Sequence, residues 1–160
     1  MVWCSEDCTV HCSEAKEVFR TIAELKLEKE VHIYVGQERD RLLKEMQEIF
    51  VEGNPRVWWL SLKYKPERYV FEVNEPWKEI VRFFDKDEMV YFIIEDAYIF
   101  SEQMLCKAKI SQVIEIVENS EMVFEYNLVS LNYDRFMCET DHDEYLFVNR
   151  SGEGNERKII

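Results

Sequence analysis

The sequence predicts an α+β fold: a single domain with a largely antiparallel sheet and helices packed mainly on one face. Three observations carry that expectation. The first third holds two amphipathic helical stripes, and most of the remainder is short aromatic and branched runs bounded by turn residues. Neither a regular strand and helix alternation nor a glycine-rich phosphate loop is present, which argues against a doubly wound parallel sheet. At 160 residues the chain is long enough for one real core and too short for two comfortable ones. Residues 1–150 are therefore expected to form one domain and SGEGNERKII, residues 151–160, a flexible tail.

Taken in order, Val18, Ile22 and Leu25 recur at helical spacing, with Ser13 as N-cap and Glu14 at the positive end of the helix dipole. VHIYV, Val31–Val35, reads as a strand or extended connector broken by Gly36. QERDRLLKEMQEIFV is a second helix, stopped at Glu52-Gly53-Asn54-Pro55. RVWWLSL, Arg56–Leu62, has strand composition, and Tyr69–Val73 is expected to pair with it across a turn containing Pro66. NEPWKEIVRFF predicts a short helix capped by Asn74, with Pro76 in its first turn. EMVYFIIED is a central strand, since a continuous apolar run implies burial on both faces, and AYIF, Ala97–Phe100, is expected to turn back beside it. Ile110, Val113, Ile114 and Val117 give a helix over Lys109–Glu118, and strands close the chain around Met122–Leu128, Tyr133–Cys138 and Tyr145–Val148.

The formal charge of −13 is unevenly distributed. Residues 1–80 carry 16 acids and 12 bases, whereas Asp87–Asn149 holds 14 acids against Lys107, Lys109 and Arg135, a net −11. Such a field repels nucleic acid and anionic membrane and steers a basic partner. No apolar run reaches the roughly 20 residues of a membrane-spanning helix, and the acidic N-terminus is unlike a secretory signal. Five cysteines, an odd number, fit a cytoplasmic, reducing compartment.

Two constellations invite a chemical reading. CSEDCTVHC places Cys4, Cys8 and Cys12 four residues apart with His11 beside them. On a helix Cys4 and Cys12 would stand about 12 Å apart along the axis, too far to share one zinc ion, and the nearby acids would raise the thiol pKa values. These cysteines are better read as structural, and Cys106 and Cys138 as small buried hydrophobes. The second is RFMCETDHDEYLFV, Arg135–Val148, where His142 stands between Asp141 and Asp143 with Glu139 and Glu144 at the flanks. As an active site, His142 with a raised pKa would shuttle protons or join Asp141 and Asp143 on a metal. That hydrolytic or metal-dependent reading lacks a nucleophile elbow, a second histidine at helical spacing and a phosphate loop. As a docking hairpin, Glu139, Asp141, Asp143 and Glu144 would accept bidentate bonds from a partner's arginines. Tyr133 and Tyr145 would then be apolar anchors, unless both belong to the sheet's own core. Arg135, His142 and Tyr133 complete that candidate surface. No motif calls for a cofactor.

Tyr126–Val148, YNLVSLNYDRFMCETDHDEYLFV, resembles the closing hairpin of small, acidic bacterial proteins encoded beside polymorphic secreted toxins, many of them immunity proteins. The likeness rests on Tyr133-Asp134, Phe136, Glu139, His142-Asp143 and the apolar Leu146–Val148. Arg135 stands where the pattern has a bulky aromatic residue, and Asn149 replaces a glycine that often closes the last strand. The resemblance implies a non-enzymatic protein that binds a basic toxin domain and blocks it. Surplus aromatic residues leave room for a further expectation, an obligate oligomer using them as its interface.

Overall fold

The computed structural model describes residues 14–55, 57–95, 103–120, 125–140 and 144–150. Three α-helices, α1 (Glu14–Glu24), α2 (Gly36–Phe50) and α3 (Ile110–Asn119), accompany seven strands. The strands are β1 (His32–Tyr34), β2 (Glu67–Tyr69), β3 (Met89–Glu95), β4 (Gln103–Lys109), β5 (Glu125–Ser130), β6 (Arg135–Glu139) and β7 (Tyr145–Asn149). All seven form one sheet in the order β1-β4-β3-β5-β6-β7-β2, with every neighbouring pair antiparallel. This is the α+β class that the sequence predicts.

Alternation along the strands builds two cores. Phe92, Ile94, Cys106, Leu128 and Met137 face α1, α3 and a 3-10 helix at Pro76–Arg82. Ile93, Leu105, Val129, Phe136 and Leu146 face α2 and the segment that follows it. The helices therefore gather mainly on one side, as expected, but α2 lies on the other. That explains the continuous apolar run of β3: Val90, Phe92, Ile93 and Ile94 are all fully buried, and from Phe92 onward neither face meets water, whereas Met89 and Tyr91 on the α2 face are half-buried. β4 and β5 flank β3 and so run parallel to each other, joined by α3 across one face.

Several elements differ from the expectation. Of the expected strand Arg56–Leu62, Arg56 lies outside the described residues and 57–62 is not a strand; Trp58–Leu60 forms a 3-10 turn, and Leu62 makes only an isolated bridge to Val51. The turn tips Leu60 into solvent while Trp58 and Leu62 bury beside Phe50 and Phe136. With no strand there to meet, Tyr69 pairs instead with Tyr145: β2 is Glu67–Tyr69, at the sheet's edge against β7. The helix after Pro76 is 3-10 rather than α, and its N-cap is Glu75 rather than Asn74. AYIF and Ser13 lie outside the described residues, as do Cys4, Cys8, His11, Cys12 and the tail. The strand returning along β3 is β4, whose sequence QMLCKAK hides its pattern: Met104, Cys106 and Ala108 face one core while lysines follow at 107 and 109.

Phe136 packs between Phe50 (5.3 Å between ring centroids) and Trp58 (6.5 Å). Phe136→Ala should therefore cost about 3–5 kcal/mol of unfolding free energy, read by urea denaturation. Leu60→Ala, at a 49% exposed position, should shift stability by no more than about 0.5 kcal/mol.

Candidate functional site

Strand register brings one end of the sheet into focus. Glu95 faces Gln103 on β4 and Glu125 on β5, Tyr126 faces Glu139, Glu139 faces Tyr145, and Tyr145 faces Tyr69. β3 and β6 end here and β4, β5 and β7 begin here, so residues 96–102, 121–124 and 141–143 adjoin this end in the sequence. By sequence they hold Asp96, Glu102, Glu121, Asp141 and Asp143 and not a single lysine or arginine. With Glu95, Glu125, Glu139 and Glu144, nine of the 14 acids of Asp87–Asn149 belong to this end, whereas Lys107, Lys109 and Arg135 sit at the other. The charge imbalance is thus polarised along the strands.

On the α2 face of this end lies a buried carboxylate. Glu95 is only 9% exposed; Asn127 Nδ2 and Gln103 Nε2 donate to its Oε1 at 2.8 and 2.9 Å. The Trp58 main-chain N–H donates to it as well. Burial raises its pKa, against these three hydrogen bonds, which lower it, and the Glu125 charge raises it further. Glu125 in turn accepts the Trp59 indole N–H at 3.0 Å. Two acids therefore tie the Trp58–Leu60 turn to the sheet. The sequence signal for this cluster is a glutamate closing a continuous apolar strand together with an asparagine set in the equally apolar YNLV; a buried carboxylate requires neutral donors nearby.

The other face carries Glu139, whose Oε1 accepts the hydroxyls of Tyr126 at 3.2 Å and Tyr145 at 2.5 Å. Both tyrosines are about 1% exposed, so Tyr145 belongs to the core rather than to a surface. Glu144 accepts Arg68 Nη1 at 2.6 Å, and its carbonyl accepts the Thr140 N–H at 2.8 Å, which closes the mouth of the β6–β7 hairpin.

Tyr133 and Arg135 lie at the opposite end. Tyr133, at φ 61°, donates its hydroxyl to Glu45 Oε2 at 3.4 Å and packs beside Tyr91; partial burial pushes that hydroxyl up to about 12. Arg135 forks onto both oxygens of Glu88, donates to the Phe83 carbonyl at 3.0 Å, and lies 4.9 Å from the centroid of the Phe84 ring. It serves as an internal staple between β6 and the segment Phe83–Glu88. The structure thus brings Glu139 and Glu144 together and separates them from Tyr133 and Arg135. Asp141, His142 and Asp143, and with them the proposed acid/base or metal chemistry, lie outside the described residues. Among the described residues no group of three or more His, Cys, Asp or Glu side chains could hold a metal ion, and no helix is long and apolar enough to cross a membrane. Cys106 and Cys138 are both free and buried.

Comparison with protein-family models, curated proteins and solved structures gives no match.

Two outcomes follow from this geometry. Burial holds the Glu95 carboxyl above its ordinary pKa, so the folded chain holds that proton more tightly than the unfolded chain. Its stabilising contribution is complete below the unfolded pKa and is lost as pH rises through the folded one. Glu95→Gln should accordingly flatten the fall in melting temperature over that window and raise the melting temperature at neutral pH. Arg135→Ala, which leaves Glu88 half-buried and unpaired, should cost about 2 kcal/mol in chemical denaturation.

Proposed function

We propose that this chain is a non-enzymatic binding protein of the immunity type, which docks a basic protein partner, a toxin domain, through the acidic end of its sheet. The observation that carries the reading is that β3, β4, β5, β6 and β7 all end or begin at one end of the sheet, where by sequence residues 96–102, 121–124 and 141–143 add five acids and no lysine or arginine, away from the bases of the same segment. A scattered negative charge only keeps a protein in solution, whereas charge gathered on one end makes a directional field that orients an approaching partner. The described carboxylates also divide into two kinds. Glu95 and Glu139 are held by neutral donors within the fold. Glu144 sits at the surface, exchanging bonds with Arg68, where a partner's arginine could compete on equal terms. The resemblance of the β6–β7 hairpin to immunity proteins supports the same end of the molecule as the docking face.

The test is to immobilise the protein, pass over it a lysate of the organism that encodes it, and elute with rising salt. A single basic polypeptide released by salt is expected, with capture weakened about tenfold or more in an Asp141→Ala, Asp143→Ala, Glu144→Ala variant. Glu139 is left intact because it secures two core tyrosines. Undiminished capture by the triple variant would remove the acidic end from the interface; a stoichiometric metal ion in untagged protein would favour the catalytic reading of His142 instead.

A further inference from the structure

β1 and β2 are the outermost strands of the sheet, and the chain between them crosses the α2 face from one edge to the other as α2, the Trp58–Leu60 turn and their connections. Seven strands at ~4.8 Å spacing put those edges about 29 Å apart, whereas residues 35–66 could reach about 100 Å when extended. The crossing therefore has slack. Its main-chain hydrogen bonds close on themselves: Val51 N–H donates to the Gln47 carbonyl, Glu52 N–H to that of Ser61 and Lys63 N–H to that of Phe50, each at 2.8 Å, and Val51 bridges Leu62. The hydrogen bonds described between residues 36–63 and the sheet or its turns each involve a side chain, with the Trp58 N–H on Glu95, the Trp59 indole on Glu125 and the Tyr133 hydroxyl on Glu45.

The layer on the other face is built differently. α3 is itself the crossover from β4 to β5, and its first turn donates the Ile110 N–H to the Glu88 carbonyl at 3.0 Å and the Ser111 N–H to the Lys86 carbonyl at 2.9 Å, so it cannot lift without breaking main-chain bonds at the strand ends. The α2 layer joins only the two edges. Both of its ends allow a pivot: Gly36 stands at φ 61° in open space after a Val35 that is 69% exposed, and Tyr64 is tied by its hydroxyl to Arg150, just beyond β7, at 3.1 Å. One latch also works against closure. Glu95 and Glu125 are direct partners across β3 and β5 and both hold the tryptophan turn, so seating that turn draws two neighbouring carboxylates out of water.

We propose that residues 36–55 and 57–63 form a strap that lifts from the sheet as one unit, pivoting at Val35–Gly36 and at Tyr64, while the sheet and the α1 and α3 layer stay folded. Lifting returns Glu95 and Glu125 to water and bares the apolar face made by Ile93, Leu105, Val129 and Phe136. The opening needs no partner, so it stands whatever the acidic end docks.

The test is native-state hydrogen exchange of the full chain, followed by amide NMR at low urea concentrations. Amides 43–52 and that of Lys63 are expected to exchange at least about tenfold faster than those of Phe92, Ile93 and Leu128, with one shared and shallower dependence on urea. Arg135→Ala loosens the opposite face, where Arg135 grips Glu88 and lies over Phe84 whether or not the strap is down. It should speed the β3 amides about tenfold or more and leave the strap amides unchanged. If that variant does not fold, Ile116→Val, at a fully buried position of α3, gives the same contrast at about fivefold. Trp59→Phe, which removes the bond to Glu125, should speed amides 43–52 and Lys63 together by about tenfold. Equal rates and equal urea dependence in the strap and β3 would overturn the proposal. So would acceleration of the strap by Arg135→Ala or Ile116→Val, or a Trp59→Phe effect confined to residues 58–60.

Discussion

The structure depends on one constraint: from Phe92 to Ile94, β3 meets water on neither face. A strand sealed on both sides must find apolar partners above and below, which is why α1 and α3 cover one surface of the sheet and α2 with its following turn the other. It must also satisfy its backbone within the sheet, and β4 and β5 do so on its two sides. The crossover through α3 follows from this, since two strands flanking β3 run in the same direction and cannot be joined by a tight turn. Where the sealed strand ends, its last residue is Glu95. A charge at the margin of such a core has to be met by donors, and Asn127, Gln103 and the Trp58 main chain meet it.

That arrangement changes the meaning of a large negative charge. Counted along the sequence, the second half looks like one acidic surface. Folded, some of its carboxylates become internal fittings: Glu95 and Glu125 hold the tryptophan turn, Glu139 holds two core tyrosines, and Glu88 with Asp134 grips Arg135. Which carboxylates are left outside these internal bonds is set by topology, which brings Glu95, Glu125, Glu139 and Glu144 to one end of the sheet and, among the described residues, leaves only Glu144 of these paired to a surface arginine, Arg68.

Much of the fold was legible in the sequence because periodicity reports burial. The stripe of α2, the unbroken apolar run of β3 and the closing strands β5 to β7 each have a pattern that only one environment produces. The reading failed where local composition and tertiary need diverge. RVWWLSL has strand composition, but Trp58, Leu62 and Tyr64 reach the α2-side core only if the chain turns tightly and leaves Leu60 outside. β4 was missed because its lysines interrupt a short apolar pattern, and β2 because its partner, β7, lies some 80 residues away in sequence. At the site, sequence identified the carboxylates of the hairpin but grouped them with Tyr133 and Arg135, which share a strand neighbourhood with Glu139 and yet lie at the far end of the sheet. Proximity in sequence is a poor guide along a strand that spans the molecule.

The two buried cysteines have a practical consequence. Cys106 and Cys138 have no exposed surface, and burial pushes the Cys106 thiol up to about 12 and holds that of Cys138 well above its ordinary value. Thiolate is the reactive form, so both are chemically silent while the sheet is intact. Of the five cysteines, any that an alkylating reagent reaches in the folded chain belongs to the N-terminal three. Labelling thus becomes a clock for the protein: Cys106 and Cys138 are modified only when β4 and β6 separate from their neighbours, which dates the opening of the core independently of any binding assay.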